Sequence, residues 1–100
     1  MLVNVTYYEE KWDNWDWEEL SVQEMLLIEE ETGFARIQGP DSLLASAYAH
    51  EARGAQALIW WLRGHKGHSR ALGELKPGKL RIELVPEDPF EEASEETETG

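Results

Sequence analysis

The chain of 100 residues predicts a small, mainly helical α+β domain: an N-terminal β-hairpin, a helical centre, a short C-terminal edge strand and an acidic disordered tail. Three observations carry that class. Leu44, Ala47, Tyr48, Ala52, Ala55, Leu58, Ile59 and Leu62 recur at spacings of three and four, which places them on one face of an α-helix. Leu2-Val-Asn-Val-Thr-Tyr-Tyr8 and Lys79-Leu-Arg-Ile-Glu-Leu-Val85 alternate with a period of two, the pattern of strands with one buried side. Beyond Val85 the chain has seven acids, no base and one large apolar residue, Phe90, too little apolar surface to order it. Residues 1–85 are therefore expected to form the domain and residues 86–100 the tail.

The hairpin follows from the polar break at Glu9-Glu10 and the second run, Lys11 to Trp17. A two-stranded ribbon is barely stable in water unless one face lies on another element. Trp12, Trp15 and Trp17 are the residues to supply that face. Core packing is the leading reading of these indoles; the other is a surface turned to a partner, for which Trp12 and Trp15 are the candidates.

Ser21-Val-Gln-Glu24 fits a capping box, in which Ser21 accepts from the amide three residues on and Glu24 reaches back. A short helix is expected between about residues 21 and 33, with Val22, Met25, Leu26 and Ile28 on its apolar face and Gly33 as its stop. Glu29, Glu30 and Glu31 sit at its C-terminal end, where the helix dipole disfavours negative charge. They read as a solvated face or as contacts to a basic partner, with Glu29 and Glu30 as candidates.

Phe34 to Gly39 reads as a connector. Asp41 or Ser42, after Pro40, starts the long helical stretch and Gly64 stops it. Gly54 lies within it, where glycine costs about 1 kcal/mol relative to alanine. It predicts a bend near Arg53 to Ala55, or two shorter helices meeting there, with the alanine-rich half allowing another backbone to come close. Neighbouring residues on a helix point about 100° apart, so Trp60 and Trp61 can both be enclosed only if the helix is covered over a wide arc. One is expected in the core and the other against a partner; Leu58, on the same stripe, joins the candidate contacts. His65 to Gly78 is rich in breakers and reads as a loop with one helical turn. In the last strand Leu80, Ile82 and Leu84 are expected on the buried side, unless the segment is extended and held only in an assembly.

The net charge of −12 is unevenly placed. Residues 1–35 carry ten acids and one lysine, residues 50–85 seven bases and three acids. That asymmetry favours self-neutralisation within the fold or head-to-tail contact between copies, and the overall acidity excludes a general nucleic-acid binder. No apolar run approaches membrane-spanning length and no basic region leads into an apolar one at the start, so a soluble cytoplasmic protein is expected. Without cysteine there is no thiolate chemistry. His65 and His68 lack further ligands at metal-binding spacing and lie beside Lys66 and Arg70; the glycines show no phosphate-cradling pattern and the serines no nucleophile motif. No enzyme, metal or cofactor is expected.

The order of features, with Ile28-Glu-Glu-Glu-Thr-Gly33 and Ala57-Leu-Ile-Trp-Trp-Leu-Arg63 carrying most of the likeness, resembles the tail assembly chaperones of long-tailed, siphovirus-type bacteriophages over roughly residues 18–90. The resemblance implies a non-enzymatic protein of the host cytoplasm that coats the tape measure protein before the tail tube polymerises around it and is absent from the mature virion. It also implies a ribosomal frameshift that in many members appends a second domain, through which the longer form meets the tail tube protein. The tryptophan-rich front and Trp61 depart from the common pattern. From the residues alone, the other reading is a small acidic DNA mimic or adaptor that binds a basic host protein.

Overall fold

The computed structural model describes residues 2–85; the expected tail and its Phe90 lie outside the described residues. The fold is α+β. Strand β1 (Leu2–Tyr7) is the centre of a three-stranded antiparallel sheet, flanked by β2 (Glu10–Asp16) and by β3 (Leu80–Val85). Alternation along β1 sends Val3, Val5 and Tyr7 into the core. The hairpin turns at Tyr8, whose φ of 56° is left-handed.

Trp12 and Trp15 are three residues apart, so a regular strand would place them on opposite faces. Instead Trp12 pairs with Val5 and Trp15 with Val3, because β2 carries one extra residue between them. The bulge is set by Asn14, which has a φ of 58° and whose amide donates to Asn4 Oδ1 at 2.8 Å. Such a bulge shifts side-chain alternation by one residue. Both indoles thereby share the face of Val3 and Val5, half-buried against the core.

Helix α1 (Val22–Thr32) has the expected caps: Ser21 Oγ accepts from the Glu24 amide, Glu24 Oε1 from the Ser21 amide, and Gly33 closes the helix with a φ of 85°. Its expected apolar face is corrected. Ile28 is buried and Leu27 packs beside it, but Val22, Met25 and Leu26 are exposed. The helix is anchored toward its C-terminal end, where Ser69 Oγ donates to the Glu31 carbonyl at 2.5 Å and Glu31 lies 3.0 Å from His68 Nε2. Arg53 also approaches this end, donating to the Thr32 carbonyl at 3.4 Å. The first turn, with Val22 and Met25, therefore stays exposed, while Leu27 and Ile28 in the second pack on the core.

The long stretch is two helices, α2 (Leu43–Tyr48) and α3 (Ala52–Leu62). The break falls at residues 49–51, where His50 takes a φ of 62°, a few residues before Gly54. Gly54 instead makes room, since a Cβ built on it would lie 2.3 Å from the Ala47 amide nitrogen and 2.5 Å from the Ser46 carbonyl carbon. The two helix backbones cross there, the close approach expected of the alanine-rich half. Glu51 ties the corner by receiving the Ser46 hydroxyl at 2.8 Å.

At its far end α3 closes with paired bonds from the His65 amide to the Trp60 carbonyl and from the Gly64 amide to the Trp61 carbonyl, both 3.0 Å. Gly64, with a φ of 79°, allows this Schellman closure. Residues 65–79 hold two short 3-10 turns, Ser69–Ala71 and Pro77–Lys79, where one helical turn is expected. The core joins Val3, Val5, Tyr7 and Leu80 of the sheet to Leu43, Ala47, Ala55, Leu58, Ile59, Trp60 and Trp61 of the helices. Phe34 and Ile37, in the segment read as a connector, are buried with them.

Candidate docking surface

The tryptophan pair of α3 is consumed by the fold. Trp60 is 3% and Trp61 8% exposed, and Leu58 is fully enclosed. The expectation that one of the neighbouring indoles faces a partner is corrected, and Leu58 with it. The wide cover required comes from the sheet on one side and from the segment after the helix on the other. His65, turned back by a φ of 63°, lays its ring 3.8 Å from that of Trp61 and 5.0 Å from that of Trp60, centre to centre. The Trp60 indole donates to the Gly67 carbonyl at 2.7 Å, so its one polar atom is satisfied inside.

Two open grooves remain of interest. The first, of about 410 Å³, is lined by Val3, Trp17, Gln38, Gly39, Ser42, Leu44, Ala45, Tyr48, Ile82 and Leu84, with no charged residue. Its origin lies in the register of β3. Leu80, Ile82 and Leu84 pair with Tyr7, Val5 and Val3 and so share the core-facing side of the sheet, as the alternation predicts. Cover runs out along the strand: Leu80 is enclosed beneath the helical corner, where His50 Nε2 lies 3.2 Å from its carbonyl oxygen, whereas Leu84 is 64% exposed. Tyr48, at the end of α2, is 68% exposed across the same groove. The expectation of a buried Leu84 and of Tyr48 on a buried stripe is corrected accordingly. An apolar surface with two such exposed side chains at its mouth is the kind that marks a binding face.

The second groove, of about 560 Å³, is lined by Trp12, Asp13, Asn14, Trp15, Asp16, Glu19, Leu20, Glu24, Trp61 and Leu62. Here the structure brings together Trp12, Trp15 and the nearly enclosed Trp61 among the candidate residues. Glu29 and Glu30 stay exposed on α1 and line neither groove.

Charge pairing joins the hairpin to the helices. Arg63 grips Glu10 with both its Nε, 3.0 Å from Oε1, and its Nη2 on Oε2, tying the hairpin to the end of α3. That hydrogen bond holds the Glu10 carboxyl below the usual carboxylate range and raises Arg63. The histidines are engaged structurally, at Leu80, at the tryptophan pair and at Glu31. Among the described residues no three histidine or carboxylate groups converge as a metal site would require, and no helix is long and apolar enough to cross a membrane.

No family model, curated protein or solved structure matches this chain. The surface itself carries what can be inferred. Sequence reasoning missed Tyr48, Leu84, Ile82, Leu44 and Trp17 as an open groove; the signal within reach was β3, an aliphatic strand extending past the last residue of the helices able to cover it.

Proposed function

We propose that this chain is a non-enzymatic assembly chaperone of the long-tailed phage type, which takes the apolar face of a long helical partner, the tape measure protein, into the groove between β3 and α2. The observation that supports this reading is the uncharged groove with Tyr48 and Leu84 exposed at its mouth. A helix laid in such a groove gains by removing apolar surface from water, the mode by which amphipathic helices are bound in general. The likeness of Ile28 to Gly33 and of Ala57 to Arg63 to tail assembly chaperones supports the class. It does not supply the contact, since Trp60 and Trp61 are spent on the core. Under this reading the protein works in the host cytoplasm, is absent from the finished virion, and meets the tail tube protein through a longer frameshifted form.

The test is co-expression of the full chain with the tape measure protein, followed by co-purification. Tyr48→Lys and Leu84→Lys alter residues that bury little, so unfolding free energy should stay within about 0.5 kcal/mol of the parent, while capture is lost. Capture by the parent should persist at about 0.5 M salt, because screening hardly touches an apolar contact. Capture unchanged in the double variant sinks the reading. An interaction with a basic host protein that salt abolishes would favour the acidic mimic instead.

A further inference from the structure

We propose that the chain pairs with a second copy of itself through the free edge of β3, the two strands running antiparallel with Ile82 opposite Ile82 of the second copy. The inference rests on that edge and is independent of what the groove between β3 and α2 takes up. β3 lies at one side of the sheet, where β1 is its only neighbouring strand among the described residues. The two-residue turn after Tyr7 closes on the Tyr7–Glu10 pair, which directs the backbone N–H and C=O of Tyr7 toward β2. Leu80, opposite Tyr7, therefore turns its own away from β1: its carbonyl oxygen lies 3.2 Å from His50 Nε2 and accepts from Arg81 Nη1 at 3.1 Å. Backbone groups alternate along a strand, so Ile82 and Leu84 also point theirs outward, where no strand of the described residues receives them.

The two edges of the sheet are not alike. β2 is interrupted by the bulge at Asn14, an irregularity of the kind that keeps an edge from pairing. β3 has none, since its register with β1 runs unbroken from Leu80 to Val85 and the strand contains no proline. Charge then selects the occupant. With Ile82 on the two-fold axis, Arg81 faces Glu83 of the second copy and Glu83 faces Arg81 of the second copy, both on the exposed side of the sheet. Opposite charges directly across antiparallel strands attract. Centring the pair on Glu83 instead would set two carboxylates against each other. The Ile82 register also lays Leu84, 64% exposed, against the strand of the second copy at Leu80, which removes apolar surface from water.

Each copy carries a net charge of −12, which opposes the encounter at long range. The edge itself lies in a stretch of the opposite balance: between residues 76 and 85, Lys76, Lys79 and Arg81 accompany a single acid, Glu83. At about 0.15 M salt the screening length is about 8 Å, so the charges at the contact outweigh those farther away. An extended segment of unrelated sequence would gain the same backbone bonds without the doubled Arg81–Glu83 match.

Sedimentation equilibrium of the full chain by itself reads this association, so its outcome is separate from capture of the tape measure protein. The mass should rise from 11.5 kDa toward twice that value, with the midpoint at roughly 0.1 mM chain, as suits a contact at the small end of specific interfaces. Arg81→Glu places carboxylates at both facing positions and Glu83→Arg places guanidinium groups at both. Each variant alone should associate about fivefold to thirtyfold more weakly. Both side chains are exposed, so the melts of dilute samples should match the parent. An equimolar mixture of the two variants restores opposite charges at both positions and should associate as tightly as the parent. Hydrogen exchange at the Ile82 and Leu84 amides should slow with concentration, while that at Arg81 and Glu83, whose amides face β1, should not change. A chain still monomeric at about 1 mM, a mixture no tighter than its components, or concentration-dependent protection that leaves Ile82 and Leu84 unchanged would each overturn the proposal.

Discussion

Gly54 is the residue on which the helical corner depends. Its helical backbone could be adopted by any residue, so the reason for glycine is space: the Ala47 and Ser46 backbones occupy the place of a Cβ. Backbone atoms on both sides belong to packed helices and cannot swing away as a flexible side chain would. Gly54→Ala should therefore destabilise by about 2 to 3 kcal/mol, as overpacking of a close contact does, outweighing the about 1 kcal/mol that alanine gains in a helix interior. Urea unfolding of the purified variant checks this, and a stability equal to or above the parent would show that the crossing is looser than the distances state. The same corner explains why Tyr48 is exposed. A single helix through residues 44–62 would carry it on the buried stripe, but His50 reverses the chain two residues later and α2 ends with Tyr48 past the core.

At the scale of elements, what could be read from the sequence is what is local. The limits of α1 follow from Ser21, Glu24 and Gly33, and the end of α3 from Gly64, because capping is decided within five or six residues of chain. The common face of Trp12 and Trp15 was not legible, since a bulge depends on the partner strand and on the Asn4 side chain that receives the Asn14 amide. Nor was the exposure of Val22, Met25 and Leu26, because periodicity says which residues share a helix face but not whether a neighbour covers it. One pairing between elements has a measurable pH signature. The Glu10–Arg63 bond joins the hairpin to α3, and it lowers the Glu10 carboxyl in the folded state. A group lowered on folding stabilises above its unfolded value, and that stabilisation is lost as pH falls through the folded value. Glu10→Gln should therefore cost stability at neutral pH and flatten the acid side of the stability curve. With the Glu10 side chain 40% exposed the effect is small, under about 1 kcal/mol as for other solvent-screened pairs. Parallel pH titrations of parent and variant, read by near-UV dichroism, would refute the assignment if their acid limbs coincide.

For the whole molecule, the uneven charge left two outcomes open: neutralisation within the fold, or contact between copies. Within the described residues the fold uses little of the first. Arg63 meets Glu10 and His68 meets Glu31, whereas Lys66, Arg70, Lys76 and Lys79 have no carboxylate partner there. Those four bases are thus left unpaired among the described residues, while the chain as a whole carries a net charge of −12. Self-repulsion of that kind destabilises a compact state, and salt screens it over about 10 Å at 0.1 M. The melting temperature should consequently rise between low salt and about 0.5 M sodium chloride, against the fall expected of a fold held by surface ion pairs. Calorimetry at several salt concentrations decides the sign. A melting temperature that falls with salt would mean that attractive charge contacts dominate, and the basic stretch from residue 66 to 79 would then have to be paired. A rise would mean that repulsion among like charges outweighs the pairs the fold does make.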